Sequence, residues 1–445
     1  MTEHRLARSS TAKAVLIAVL IGGTALAWWA TSPPRPQPEE GTAGPMSASA
    51  ALRGDPAANE GYARAHTPRP FRFPDDHGPH PEFRTEWWYF TGNLDGADGR
   101  PFGYQLTFFR IAQSPKPVSA DSPWRANTLY MAHFTVSDIA EGAFHDHERL
   151  SRGAMGLAGA EPGTLRLWLD DWSATPTAPG GLPVRLRAAE GEVAIDLRLA
   201  RGKPPVPHGD RGLSRKSAEP GNASYYYSLT RMPTEGIVTV SGERFTVSGL
   251  SWMDREWSTS ALGPDQIGWD WYALQLSNGQ ELMFYRLRRR DGNTDPHSAG
   301  TIVLRDGTPV ALAAGEVLID TLSTWVSPRG GHRYPARTRL RIPKADLELE
   351  VTPRLPDQEL EVSVRYWEGA VEARGTARGL PGTGRVIWSS PAMPMDRVSH
   401  WRGHLGGRTR RPADEAQPQG LQKGRRMGRS PRLHWSTSIR AKSMR

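Results

Sequence analysis

Short runs of β-favouring residues, each ended by a turn signal, recur along most of this chain, and stretches with helical periodicity are nearly absent. Strands of this kind bury only one face each, so they must pair into sheets that close or stack. The clearest case is Glu86–Leu94 and Phe102–Ile111, an aromatic hairpin turned by Asp95–Arg100 (DGADGR). The pattern predicts further strands at Leu129–Ser137, Leu165–Trp172, Val193–Ala200, Tyr225–Arg231, Gly236–Ser241 and Glu243–Gly249. A second series follows at Trp269–Leu276, Glu281–Arg288, Thr301–Leu304, Pro309–Leu312, Val317–Trp325, Arg337–Ile342, Leu347–Val351 and Leu360–Tyr366. The 46 Gly and 38 Pro suit so many turns. At 445 residues the chain exceeds one ordinary core, so two all-β domains of barrel or sandwich type are expected, over 71–248 and 249–385.

The densest chemistry lies in Gly249–Leu276, where Trp252, Trp257, Trp269 and Trp271 alternate with Asp254, Glu256, Asp265 and Asp270. Carboxylates beside large aromatics are costly to bury without partners, so they form either a satisfied network or a working site. In a strand, Asp254 and Glu256 share a face, as do Trp269 and Trp271, and Asp270 points the other way.

Residues 1–30 stand apart from this fold. Arg5, Arg8 and Lys13 precede the apolar run Ala14–Ala30, the layout of a secretory signal or an uncleaved membrane anchor. The Pro- and Ala-rich residues 31–70 read as a linker. Both imply an exported protein, periplasmic or anchored facing the periplasm. The absence of Cys excludes disulfides, thiol catalysis and Cys-ligated zinc.

The net charge of +9 is local: residues 397–445 hold 13 Lys or Arg against Asp414 and Glu415. The rest of the chain is slightly acidic, so no nucleic-acid partner is expected. Around Arg385 the texture changes to an Arg-, Gly- and Pro-rich tail without apolar periodicity. One reading frame over, codons for Arg385–Met393 can encode Gly-Tyr-Leu-Glu-Leu-Thr-Gly-Tyr, a plausible closing strand. Residues 386–445 therefore read as a frameshifted or a disordered basic tail.

TEWWYFTGNL (85–94), KPPVPHGDRGLSRKSAEPGNASYYYSLTRM (203–232) and SWMDREWS with QIGWDWYALQLSNG (251–279) resemble the carotenoid 1,2-hydratase/AttH-like family, closer to its AttH-like branch. The resemblance covers roughly residues 70–385 and implies two lipocalin-like β-barrels packed together. It also implies an exported protein that acts on, or binds, an apolar isoprenoid or lipid. Within the family the alternatives are acid-catalysed water addition to an alkene, a non-catalytic carrier working with an export permease, and a secreted hydrolase.

Hydrating a trisubstituted alkene takes an acid that protonates carbon and groups that stabilise a tertiary cation. A carboxyl kept neutral in an apolar pocket does the first, and aromatic faces do the second. Asp254, Glu256 and Asp270 are the candidate acids. The candidate ligand-binding residues are Glu86, Trp88, Tyr104, His133, Tyr226, Trp252, Trp257, Trp269, Trp271 and Tyr285. The competing reading has the carboxylates paired with Arg255 and neighbouring backbone, the Trp residues as core, and Glu86 closing a barrel with Arg84. His145-Asp146-His147 reads as a surface turn, and His208–Ser217 as a Gly-rich loop that binds an anion or is merely structural. There is no G-x-S-x-G elbow, no H-E-x-x-H, no phosphate loop and no dinucleotide fingerprint, so no cofactor or metal is expected.

Overall fold

A computed structural model of the chain describes residues 46–47, 59–116, 122–259, 262–377 and 380–391. Helix, among these, takes the form of short 3-10 turns such as Asp75–His77, Ala314–Glu316 and Pro343–Ala345. None is long and apolar enough to cross a membrane. The expected signal or anchor lies outside the described residues.

The principal strands of the first sheet are β1 Thr85–Gly96, β2 Pro101–Ala112, β3 Thr128–Asp138, β4 Ala143–Arg152, β5 Val184–Glu190, β6 Val193–Leu199, β7 Ala223–Val240 and β8 Glu243–Ser258. They run in the order β4-β3-β2-β1-β8-β7-β6-β5, extended by the short strands Trp172–Pro176, Leu167–Leu169 and Ala158–Ala160. Leu167–Leu169 lies against β3 and β4, which brings the two ends of the sheet together.

The second sheet holds β9 Gln266–Leu276, β10 Glu281–Arg289, β11 Ala299–Val303, β12 Pro309–Ala313, β13 Leu318–Thr321, β14 Thr338–Ile342, β15 Leu347–Pro353, β16 Val364–Ala377 and β17 Leu380–Pro391. Its order is β12-β11-β10-β9-β17-β16-β15-β14-β13. In both sheets the first strand pairs with the last, as closure of a meander requires. The result is two lipocalin-like barrels within one compact unit.

Strand alternation sorts side chains between barrel interiors and the seam where the barrels meet. Trp88, Phe90, Phe102, Phe134, Trp172 and Trp257 fill the first interior, and Tyr272, Phe284, Leu340, Val351 and Trp367 fill the second. A third cluster, Tyr89, Tyr226, Trp252, Trp271, Met283, Tyr285 and Ala370, lies between them. Strand β16 rests on β2 and β17 on β1. At Gly103 a Cβ would come within 2.8 Å of the Ala370 Cβ, so glycine allows this approach.

Several expectations need correcting. The boundary expected at 248/249 falls in the middle of β8, which pairs along its whole length with β7 and along Val247–Ser258 with β1. The chain passes to the second sheet only between Ser258 and Gln266, because the SWMDREWS segment continues the alternation begun at Glu243. The linker expected to reach residue 70 does not: Ala65 is core, and Arg69 ion-pairs with Asp76. Residues 386–391 belong to β17, paired with β9 and β16, rather than to a tail. Their β-branched and aromatic composition suits a strand. Residues 392–445 lie outside the described residues. His145-Asp146-His147 is no turn but part of the strand β4.

Candidate functional site

Strand β8 presents Trp252, Asp254 and Glu256 on the face turned to the second barrel, and sends Met253 and Trp257 into the first interior. Asp254 is only 4% exposed. Its Oδ2 accepts from the Tyr226 hydroxyl at 2.7 Å, and its Oδ1 accepts from Trp252 Nε1 at 2.7 Å and from the Ser228 hydroxyl. These donors favour the carboxylate, but burial, with Glu256 nearby, outweighs them and pushes Asp254 up to about 7 from 3.8. It is therefore poised to be neutral in part near neutral pH.

Ser228 also meets His208 Nε2 at 2.6 Å, and His208 Nδ1 meets Thr301 Oγ1 at 2.9 Å. Burial and the nearby Lys216 lower His208 to about 3, so it is a neutral imidazole. Neutral His208 can carry its proton on either ring nitrogen, Nε2–H donating to Ser228 Oγ or bare Nε2 accepting from it, so the Ser228 hydroxyl can turn either way. It donates to Asp254 when that is ionised, and to His208 when Asp254 is itself the donor. The HGDRGLSRKS segment thus contributes His208 and Lys216 to this seam.

Glu256 does not behave like its neighbour. It pairs with Lys216 at 2.9 Å and accepts from Ser224. Burial works against the Lys216 charge, but Glu256 more than offsets it and holds its pKa above the usual value. The ammonium sits 4.3 Å from the centre of the Tyr285 ring, whose hydroxyl is 2.9 Å from Ser214 Oγ. Glu256 is thus held in an ion pair at the edge of the Asp254 site.

Trp271 completes the wall opposite Asp254. Its Nε1 donates to the Tyr226 hydroxyl at 3.2 Å, and its ring meets Trp252 and Tyr89 edge-on, at 6.5 and 5.3 Å. Tyr89 in turn donates to Glu368 Oε1 across the seam at 2.6 Å. Two Tyr–carboxylate pairs therefore flank one aromatic wall. Glu368 went unnoticed in sequence; Tyr366-Trp367-Glu368, an aromatic strand carrying a carboxylate, echoes the 85–90 hairpin strand and is the signal that marks it.

Other candidates lie elsewhere. Asp270 faces the interior of the second barrel, paired with Arg286 and, at 3.8 Å, Arg288. Glu86 is fully buried in the first interior between Arg110 and Arg255, while Arg84 bonds Asn59 instead. Trp88 lies 3.9 Å from the Arg255 guanidinium, and Trp257 stacks on His80 at 3.9 Å. Tyr104 bonds Ser251 at 2.6 Å within the first core. Trp269 is half-buried at the edge of the seam. His133 does face the seam, bonding the Tyr366 hydroxyl at 2.7 Å and Glu148 at 3.0 Å.

A pocket of about 190 Å³ lies away from the Asp254 site; Phe73, His77, Leu182, Arg201, Lys203 and Leu229 are among its lining residues. Among the described residues no group of three or more His, Asp or Glu could hold a metal ion.

The fold and seam define a two-barrel, lipocalin-like protein with a polar site between its barrels. The sequence profile of the AttH-like family matches residues 64–384, and the chain belongs to that family. An AttH-type crystal structure from Nitrosomonas europaea is 32% identical, with TM-score 0.65 over 74% of this chain and 98% of its own. Kievitone hydratase from Nectria haematococca shares the fold at 16% identity and TM-score 0.57, over 75% of this chain and 97% of its own. A search of curated proteins found no significant match.

Proposed function

We propose that the protein is a hydratase that adds water across an alkene of an apolar, isoprenoid-type molecule held in the seam. The observation that carries this reading is Asp254, a buried carboxyl raised to about 7 beside Trp252, Trp271 and Tyr226. A neutral carboxyl can protonate carbon, and the aromatic faces stabilise the tertiary cation that results. The kinship with AttH-like proteins and the fold shared with a hydratase support it. The N-terminal charge and apolar pattern adds the proposal that the enzyme works outside the cytoplasm, and the AttH-like kinship adds an export permease as its partner.

The test is mass spectrometry of an acyclic isoprenoid bearing a terminal trisubstituted alkene after incubation with the full chain. A product heavier by one water is expected, lost in Asp254→Asn and retained in Asp270→Asn. Unchanged turnover by Asp254→Asn would remove the assignment. The pocket of about 190 Å³, with its mostly apolar walls, favours a second reading as a non-catalytic carrier. In that case Asp254→Asn protein binds as well as the parent and neither forms product.

A further inference from the structure

Along the seam from Asp254 is a cavity of about 10 Å³, the space of a single water. Gln105, Thr135 and Ser137 line it from the first barrel, and Glu368, Gly369 and Ala370 from the second. Gln105 is 3% exposed, and its Nε2 donates to Thr107 Oγ1 at 2.9 Å and to the Tyr366 hydroxyl at 3.1 Å. Its carbonyl Oε1 is buried and has no protein donor. Native interiors rarely leave such an acceptor unmet, and a polar cavity of this size is where a water satisfies it.

The cavity is also where the reaction would need a water. Glu368 accepts from Tyr89, whose ring meets Trp271 edge-on, and Trp271 bonds the Tyr226 that donates to Asp254. The acid and the Glu368 carboxylate therefore stand on either side of the aromatic pair Tyr89 and Trp271. One comes from each barrel. Glu368 lines the cavity itself as well as accepting from Tyr89.

We propose that this cavity holds the water that is added, oriented by Gln105, and that Glu368 is the base that takes its proton; the inference rests on the hydratase reading above. In the step, the Asp254 O–H breaks and its proton forms a C–H bond with the alkene π pair. The water oxygen then forms a C–O bond to the cation, and its spare proton passes to Glu368. Exchange with solvent returns both carboxyls to their starting states, so the sum is one water added.

Two measurements test this. A crystal structure at about 1.5 Å of the full chain is expected to show one water bonded to Gln105 Oε1 and Glu368, absent from Gln105→Leu. No water in the parent overturns the assignment without touching the Asp254 reading. The second uses an acyclic C40 carotene with terminal trisubstituted alkenes, in deuterated, oxygen-18-enriched water. Glu368→Gln is expected to lose oxygen-18 incorporation by about 100-fold. It should still wash deuterium into the recovered alkene, because Asp254 still protonates carbon reversibly. Asp254→Asn should lose both labels. Oxygen-18 incorporation by Glu368→Gln at the parent rate overturns the base, whereas no label of either kind with the parent overturns the hydratase reading itself.

Discussion

Glu86 and Asp254 sit on paired strands, each almost inaccessible to solvent, and meet opposite fates. Glu86 points into the first barrel, where burial opposes its charge but Arg255, His80 and Arg110 outweigh burial and hold its pKa far below the usual range. Asp254 points into the seam, where its partners are hydroxyls and an indole and no cation touches it, so burial wins. Depth alone does not decide ionisation. A guanidinium within reach converts a buried carboxyl into a fixed structural charge, and without one the same depth yields an acid.

The largest expected effect breaks the clamp. Arg255→Ala leaves Glu86 with one guanidinium and opens a hole against Trp88, so urea unfolding should show a loss of about 3–5 kcal/mol. Asp270→Asn in the second barrel belongs to the same class. It should cost a similar amount by stranding Arg286, and leave the seam chemistry intact.

A somewhat smaller effect separates the two carboxyls by pH. Between 3.8 and about 7 the folded chain keeps the Asp254 proton that the unfolded chain has released, so stability falls as pH rises through that window. Relative to Asp254→Asn, the parent should lose up to about 4 kcal/mol between pH 4 and pH 8, read from unfolding curves of both proteins. Glu86 acts with the reverse sign. Its depressed pKa contributes stability above the unfolded carboxyl range that disappears on acidification, so Glu86→Gln should flatten the acid limb.

The smallest effect sharpens the comparison within the seam. Tyr226→Phe removes one donor to the Asp254 carboxylate, which should raise the pKa of Asp254 further and cost about 1 kcal/mol. Infrared titration of the carboxyl stretch would report the direction, and an unchanged or lowered midpoint would refute it.

Much of the fold was legible in sequence because strand alternation is a local signal. The hairpin expected at Glu86–Leu94 and Phe102–Ile111 is β1 and β2 to within a few residues. The face shared by Asp254 and Glu256, and the opposite turn of Asp270, follow from the same period of two. What failed depends on long-range pairing. Tyr225–Arg231 and Gly236–Ser241, apart from Ser241 itself, fall in one strand that stays continuous through an irregularity between Leu229 and Met232. Strand β8 belongs to the first sheet because of partners at Thr85–Gly96, far away in the chain. The arginines that fix Glu86 and Asp270, and the meeting of Tyr89 with Glu368, are likewise set by register across sheets rather than by neighbours in sequence.

The pairing of first strand with last has a consequence for the order in which the chain can be made. The edge of β1 waits for β8, so the first barrel can shut while the second is still being synthesised. The edge of β9 waits for Leu380–Pro391. Until that strand emerges from the ribosome, β9 offers an unpaired edge to any neighbouring nascent chain. A ribosome stalled before residue 391 would therefore release a molecule with one finished barrel and one adhesive one.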